Sequence, residues 1–94
     1  YPKEVEVVLD EMPEVAESAV IGVPHRDFGE AVVAVVVASG AEVTLRDIEQ
    51  ALGSRLARFK QPKQVVNVPE LPRNTMGKVQ KNLLRDQHGD LFAS

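Results

Sequence analysis

Val5, Val8, Leu9 and Met12 recur at i, i+3, i+4 and i+7, the spacing of one apolar stripe on a helix. Pro2 suits the first turn of that helix, Glu4 and Glu6 suit its positive end, and Pro13 stops it. Ala19, Ile21 and Val23 then alternate with smaller or polar residues, which predicts a strand running up to Pro24. Residues 24–29, PHRDFG, hold both a proline and a glycine and read as a turn. Residues 30–38, EAVVAVVVA, are too uniformly apolar for a half-exposed strand; they predict a central strand buried on both faces.

Beyond Ser39-Gly40 the period returns to that of a helix. Thr44 is placed as N-cap, Asp47 stands at the capping-box position in place of a longer Glu, and Val43 can staple onto Ile48. Leu45, Ile48, Leu52 and Leu56 form the inward stripe, weakened at Gly53 by about 1 kcal/mol relative to alanine, and Pro62 marks the latest stop. Val65-Val66-Asn67-Val68 predicts a short third strand, and residues 69–77 a loop. Val79, Leu83 and Leu84 then anchor a last helix that ends near Gly89. The order helix, strand, strand, helix, strand, helix predicts one α+β domain over residues 1–94. It would hold a small sheet of about three strands, with an antiparallel hairpin, packed against helices.

The 94 residues suffice for a single core but not for two lobes enclosing a large substrate, so any chemistry belongs to the surface. No apolar run reaches the length of a membrane span, and zero cysteines exclude disulfides and thiolate chemistry, which suits a cytoplasmic setting. A net charge of −3 argues against nucleic-acid binding. The charge is unevenly spread, however: residues 55–85 carry eight Lys or Arg and one acid, Glu70, whereas Glu4, Glu6, Asp10, Glu11, Glu14 and Glu17 crowd the N-terminal third. A basic half in an acidic chain suggests a local anionic ligand such as a phosphate. The start, Tyr1-Pro2-Lys3-Glu4, has no initiator methionine and enters a helix at once, so the chain reads as a piece of something longer.

Gly77-Lys78 invites comparison with a phosphate-binding P-loop, but the positions that need Gly and Ser/Thr hold Pro72 and Val79, and that reading fails. What remains is a lysine on a loop punctuated by proline and glycine. Chemistry alone leaves it open between a solvated surface lysine and a mobile counter-charge for a phosphoryl or carboxylate oxygen. His25 and His88 have no neighbours at metal-ligand spacing, and no metal site is expected. The acids of the first helix read as its wet face. Asp27, Gly29 and Glu30 are open between a functional loop and an ordinary turn. No nucleophile elbow or catalytic triad can be assembled.

Pro72-Arg73-Asn74-Thr75-Met76-Gly77-Lys78-Val79-Gln80-Lys81 resembles the last core motif of the acyl-adenylate-forming superfamily, to which acyl-CoA synthetases, peptide-synthetase adenylation domains and luciferases belong. Three further stretches agree in order. Tyr1-Pro2-Lys3-Glu4-Val5-Glu6 resembles the tail of the motif after the interdomain hinge, and Val20-Ile21-Gly22-Val23-Pro24 with Phe28-Gly29-Glu30 a strand and turn. Leu56-Ala57-Arg58-Phe59-Lys60-Gln61-Pro62 resembles the Leu-Ala-x-aromatic-Lys-x-Pro run. The resemblance covers essentially the whole chain and, in wording, is nearest to malonyl-CoA synthetases.

It implies the small C-terminal lobe of an enzyme that joins a carboxylic acid to CoA. ATP and the acid give an acyl-adenylate and pyrophosphate; thiol attack then gives the thioester and AMP. By the resemblance Lys78, behind Gly77, contacts the attacking oxygen and the nucleotide in the first step, and the lobe rotates to present its opposite face to CoA in the second. Lys60, Lys63 and Arg26 are candidates for the phosphates of CoA, and Mg is expected with ATP in the full-length enzyme. The hinge would lie upstream of Tyr1, the partner would be the large N-terminal lobe of the same polypeptide, and this lobe alone would be inactive. Two other readings stand beside it: a standalone interaction or regulatory module, and the C-terminal lobe of an adenylation domain that serves a carrier protein.

Overall fold

The computed structural model describes residues 2–92; Tyr1 of the hinge-following motif and the Ala93-Ser94 end lie outside them. In order, the chain forms α1 (Pro2–Asp10), β1 (Val15–His25), β2 (Gly29–Ala38), α2 (Leu45–Leu52), a 3-10 turn (Arg58–Lys60), β3 (Gln64–Asn67) and α3 (Lys81–His88). The sheet order is β1-β2-β3. β1 and β2 are an antiparallel hairpin, and β3 joins β2 in parallel after the α2 crossover. The α+β architecture with three strands is therefore as the pattern predicts.

β2 lies at the centre and is buried on both faces. Val33 and Val35 point to one side with Ala19, Ile21, Val23, Leu71 and Leu84. Ala34 and Val36 point to the other, with Val5, Val8, Leu9, Met12, Val20, Ile48 and Leu52. The pleat sends successive side chains to opposite faces, so one valine-rich strand serves two cores: α1 and α2 cover the Ala34 and Val36 side, the first core, and α3 with the segment around Leu71 covers the Val33 and Val35 side, the second core.

Three local expectations need correction. β1 runs through Pro24 to His25 instead of stopping before the proline; β1 is an edge strand, where a missing N–H is tolerated. α2 ends at Gly53, nine residues short of Pro62, because Gly53 takes a positive φ of 51° and donates its N–H to the Glu49 carbonyl at 2.9 Å. A left-handed glycine closes a helix at little cost. Leu56 therefore lies off the helix, although it still packs against the first core. In α3 the inward residue is Leu84; Leu83 is exposed. The capping box at the other end of α2 forms as expected. Asp47 donates its N–H to Thr44 Oγ1 at 3.1 Å, and Thr44 donates its own to Asp47 Oδ2 at 3.0 Å.

Candidate functional site

Residues 73–79 form a tight hairpin that stands off the end of β1. Arg73 and Val79 are bridged in antiparallel fashion, the Asn74 N–H donates to the Lys78 carbonyl at 3.0 Å, and the Gly77 N–H to the Asn74 carbonyl at 2.9 Å. That leaves Thr75, Met76 and Gly77 as a three-residue loop. Such loops place a left-handed residue last, and Gly77 has φ 81°. Asn74 completes the turn from inside, its Oδ1 accepting the N–H groups of Met76 at 2.9 Å and Lys78 at 3.0 Å. Met76 at the tip is 89% exposed. Lys78 follows the glycine, exposed, on a backbone whose polar groups are satisfied.

Two cations near Lys78 in sequence are already neutralised. Arg73 pairs with Glu17 on β1, and Lys81 pairs with Glu6 on α1 at 2.7 Å. Glu6 is only 16% exposed at its side chain, and the same oxygen accepts the Val20 N–H at 2.8 Å, so it seals the open edge of β1. Two further pairs, Arg55 with Glu11 at 3.0 Å and Lys60 with Glu4 at 3.1 Å, follow the same rule. Glu4 and Asp10 of α1 are exposed, as a wet face requires, while Glu4 and Glu6 also engage cations. Four of the eight basic residues between 55 and 85 are spent on four acids of the N-terminal third. Among the described residues no carboxylate is in ion-pair range of Lys78. Lys3, Lys78, Lys81 and Arg85 line one open depression with Glu6, Asn74 and Gln80.

A second site lies at the other end of the β1–β2 hairpin. Phe28, Glu30, Ala31, Val32, Phe59, Gln61 and Lys63 line a slot of about 250 Å³. Its two phenylalanines are 60% and 67% exposed, and the Lys63 ammonium stands 4.9 Å from the centre of the Phe28 ring. His25 stacks on Phe28 at 4.5 Å, which stiffens the turn. Glu30 folds back over Gly22, where a Cβ would come within 2.5 Å of its carboxyl carbon. Of the predicted phosphate contacts, Lys63 lines this slot and Arg26 sits in the turn beside Phe28, whereas Lys60 is turned to Glu4. The Lys78 depression and the slot share no lining residue and are separate sites. Among the described residues no three His, Cys, Asp or Glu side chains are placed to hold a metal ion.

The family model for the AMP-binding enzyme C-terminal domain matches residues 4–78, ending on the lysine at the hairpin. The chain belongs to this family. A long-chain-fatty-acid–CoA ligase of Mycobacterium tuberculosis, FadD13, is 46% identical over 88 residues, which are 94% of this chain and 18% of that enzyme. ScoC of Streptomyces coeruleorubidus, a fatty acid–[acyl-carrier-protein] ligase, is 42% identical over 93% of this chain and 17% of its own length. Among solved structures, ATP-bound MatB from Rhodopseudomonas palustris superposes with a TM-score of 0.92 at 56% identity, covering 98% of this chain and 18% of MatB. The chain thus spans less than a fifth of the ligases it matches, and corresponds to a small part of such an enzyme. Among the described residues no helix is long and apolar enough to cross a membrane.

The sequence names Lys78, Gly77, Lys60, Lys63 and Arg26 as candidates but does not single out Glu17, Asn74, Phe28 and Phe59, which the structure places in the same two regions. Asn74 had a signal, since an Asx side chain three residues before a glycine favours its own turn. Glu17 had none: its partner is 56 residues away.

Proposed function

We propose that this domain is the mobile C-terminal catalytic lobe of an AMP-forming acyl-CoA ligase, with Lys78 assisting adenylation. The observation that carries the reading is a lysine with no ion-pair partner among the described residues, held at the end of a hydrogen-bonded hairpin while Arg73 and Lys81 beside it are paired with Glu17 and Glu6. Adenylation brings an anionic carboxylate to an anionic α-phosphate. A compact ammonium that touches both the attacking oxygen and the nucleotide offsets their repulsion and lines up the displacement. Its exposure suits this role, because the site it completes belongs to the large lobe of the same polypeptide. Mg, when present, accompanies ATP there. Alone, without the large lobe, the domain is inactive. The wording of the motif and the likeness to MatB favour malonate or a related acid as the substrate, and the setting is cytoplasmic.

The second step uses the opposite end. When the lobe turns about its hinge, Lys78 is withdrawn and the slot of Phe28, Phe59 and Lys63 faces CoA, with Arg26 beside it. Two aromatic faces and a cation suit a phosphorylated adenosine. Lys60, engaged by Glu4, is the weakest of the proposed contacts. The relationship to ScoC supports a second reading, in which a carrier protein takes the place of CoA and the slot has no nucleotide to bind. In the full-length enzyme, Lys78→Ala is expected to abolish most acyl-adenylate formation while thioester formation from preformed adenylate persists. Undiminished adenylation would refute the assignment. Replacing Lys63 by Ala separates the two thiol acceptors: a raised KM for CoA supports the first, an unchanged one the second.

A further inference from the structure

The hairpin that carries Lys78 buries little of its own. Residues 73–78 are all exposed, and a two-stranded ribbon is marginal by itself in water. Its direction must be set from outside. Among the described residues, the one polar side-chain link from this ribbon to the sheet is Arg73, whose Nη2 pairs with Glu17 on β1. Its Nη1 donates to the Gly77 carbonyl at 2.7 Å. That carbonyl belongs to the peptide unit leading into Lys78, and the N–H of the same unit is held by Asn74 Oδ1 at 3.0 Å. The two polar groups of one peptide plane are therefore gripped from opposite sides, and one grip is continued by the guanidinium fork to the first strand.

We propose that Arg73 and Glu17 are a positioning pair that sets where the Lys78 ammonium is delivered during adenylation. The proposal rests on the reading of Lys78 given above. An exposed ion pair adds little to global stability, so what this one contributes is direction. The planar guanidinium can bond a carbonyl and a carboxylate at once, which an ammonium on a flexible stem does poorly. Glu17 lies on the sheet face that α3 and the hairpin cover, just after the irregularity in β1 pairing between Val15 and Glu17. The pair thus ties the loop to the rigid hairpin at the end opposite the aromatic slot. A displacement of a catalytic group on the order of 1 Å can slow a reaction by about a hundredfold.

The test uses the full-length ligase and measures two half-reactions: acid-dependent exchange of pyrophosphate into ATP, and thioester formation from preformed acyl-adenylate and CoA. Arg73→Gln is expected to lower the adenylation kcat about thirtyfold and Glu17→Gln about tenfold, with the KM for ATP and the thioester step unchanged within about twofold. The double variant should be no slower than Arg73→Gln alone, since both break one link. Arg73→Lys, which keeps charge and loses the fork, should remain slow. In a Lys78→Ala background neither substitution should cause further loss. Equal losses in both half-reactions, a full further loss without Lys78, or unaffected adenylation would overturn the pair. If Lys78→Ala itself leaves adenylation at the wild-type rate, the parent reading falls and the pair with it. If Lys78→Ala is slow and the pair variants are not, the pair alone falls.

Discussion

The two ends of the β1–β2 hairpin solve different problems. At the Glu17 end the backbone is tied by hydrogen bonds and ion pairs around a lysine with no ion-pair partner among the described residues. At the Phe28 end two largely exposed aromatic rings and a lysine line a slot, braced by the Gln61 amide on the Gly53 and Leu56 carbonyls. The first arrangement places one charge; the second offers surface and waits for something to cover it. On the proposed reading, a lobe that serves two successive steps has reason to separate these properties, because a delivered charge must be held rigidly, whereas a docking slot gains from area. On that reading, rotation of the lobe would exchange one for the other.

Substitutions can break this contrast. Lys78→Ala should have the largest effect, lowering adenylation in the full-length ligase by about two to three decades while sparing thioester formation; pyrophosphate exchange against single-turnover thioester assays checks it. Asn74→Ala comes next. It frees the N–H groups of Met76 and Lys78, and since both are exposed and can bond water, the expected outcome is about a tenfold slower adenylation without loss of fold, read by the same exchange assay with a melting curve. At the other end, Phe59→Ala should raise the KM for CoA about three- to tenfold and leave adenylation alone. An effect of either kind on the wrong half-reaction would collapse the distinction between the ends.

The smallest effect lies away from both sites. Thr44→Ala removes the α2 cap and should lower stability by about 1 kcal/mol, with neither half-reaction changed at a temperature where the enzyme is folded. The Asp47 carboxyl is held below its ordinary value, first by the Thr44 backbone N–H and then by its hydroxyl. A carboxyl whose pKa is lowered on folding contributes stability above its unfolded value, and loses it as pH falls through the folded one. Denaturation profiles of wild type and Asp47→Asn should therefore diverge in the neutral range and converge in acid below pH 4.

Much of the frame was legible because it rests on local periods. The stripe of Val5, Val8, Leu9 and Met12, the two-sided burial of β2 and the Thr44-Asp47 capping box each declare themselves within a few residues. Where α2 stops was not legible, since a glycine inside an apolar period can be tolerated or can turn left-handed, and only the chain beyond decides. The ion pairs were hidden for a different reason. Arg55 with Glu11 and Arg73 with Glu17 join positions 44 and 56 apart, and no spacing encodes such partners. The basic half suggested an anionic ligand as a whole; folding instead assigns four of its charges to the chain's own acids and leaves Lys78 among those that are not. The motif located the lysine, but its supports became visible only in three dimensions.

The second core has a bearing on how this segment tolerates change. Ala19, Ile21, Val23, Val33 and Val35 would present a bare, valine-rich sheet face if Leu71 and Leu84 did not cover it, and such a face is prone to edge pairing and aggregation. The residues that carry the hairpin are therefore also a lid on a sticky surface. Damage that lifts the segment from residue 71 onward would leave insoluble protein, so losses of activity there must be separated from losses of soluble material. The segment that carries the lysine is also the sheet's guard against clumping.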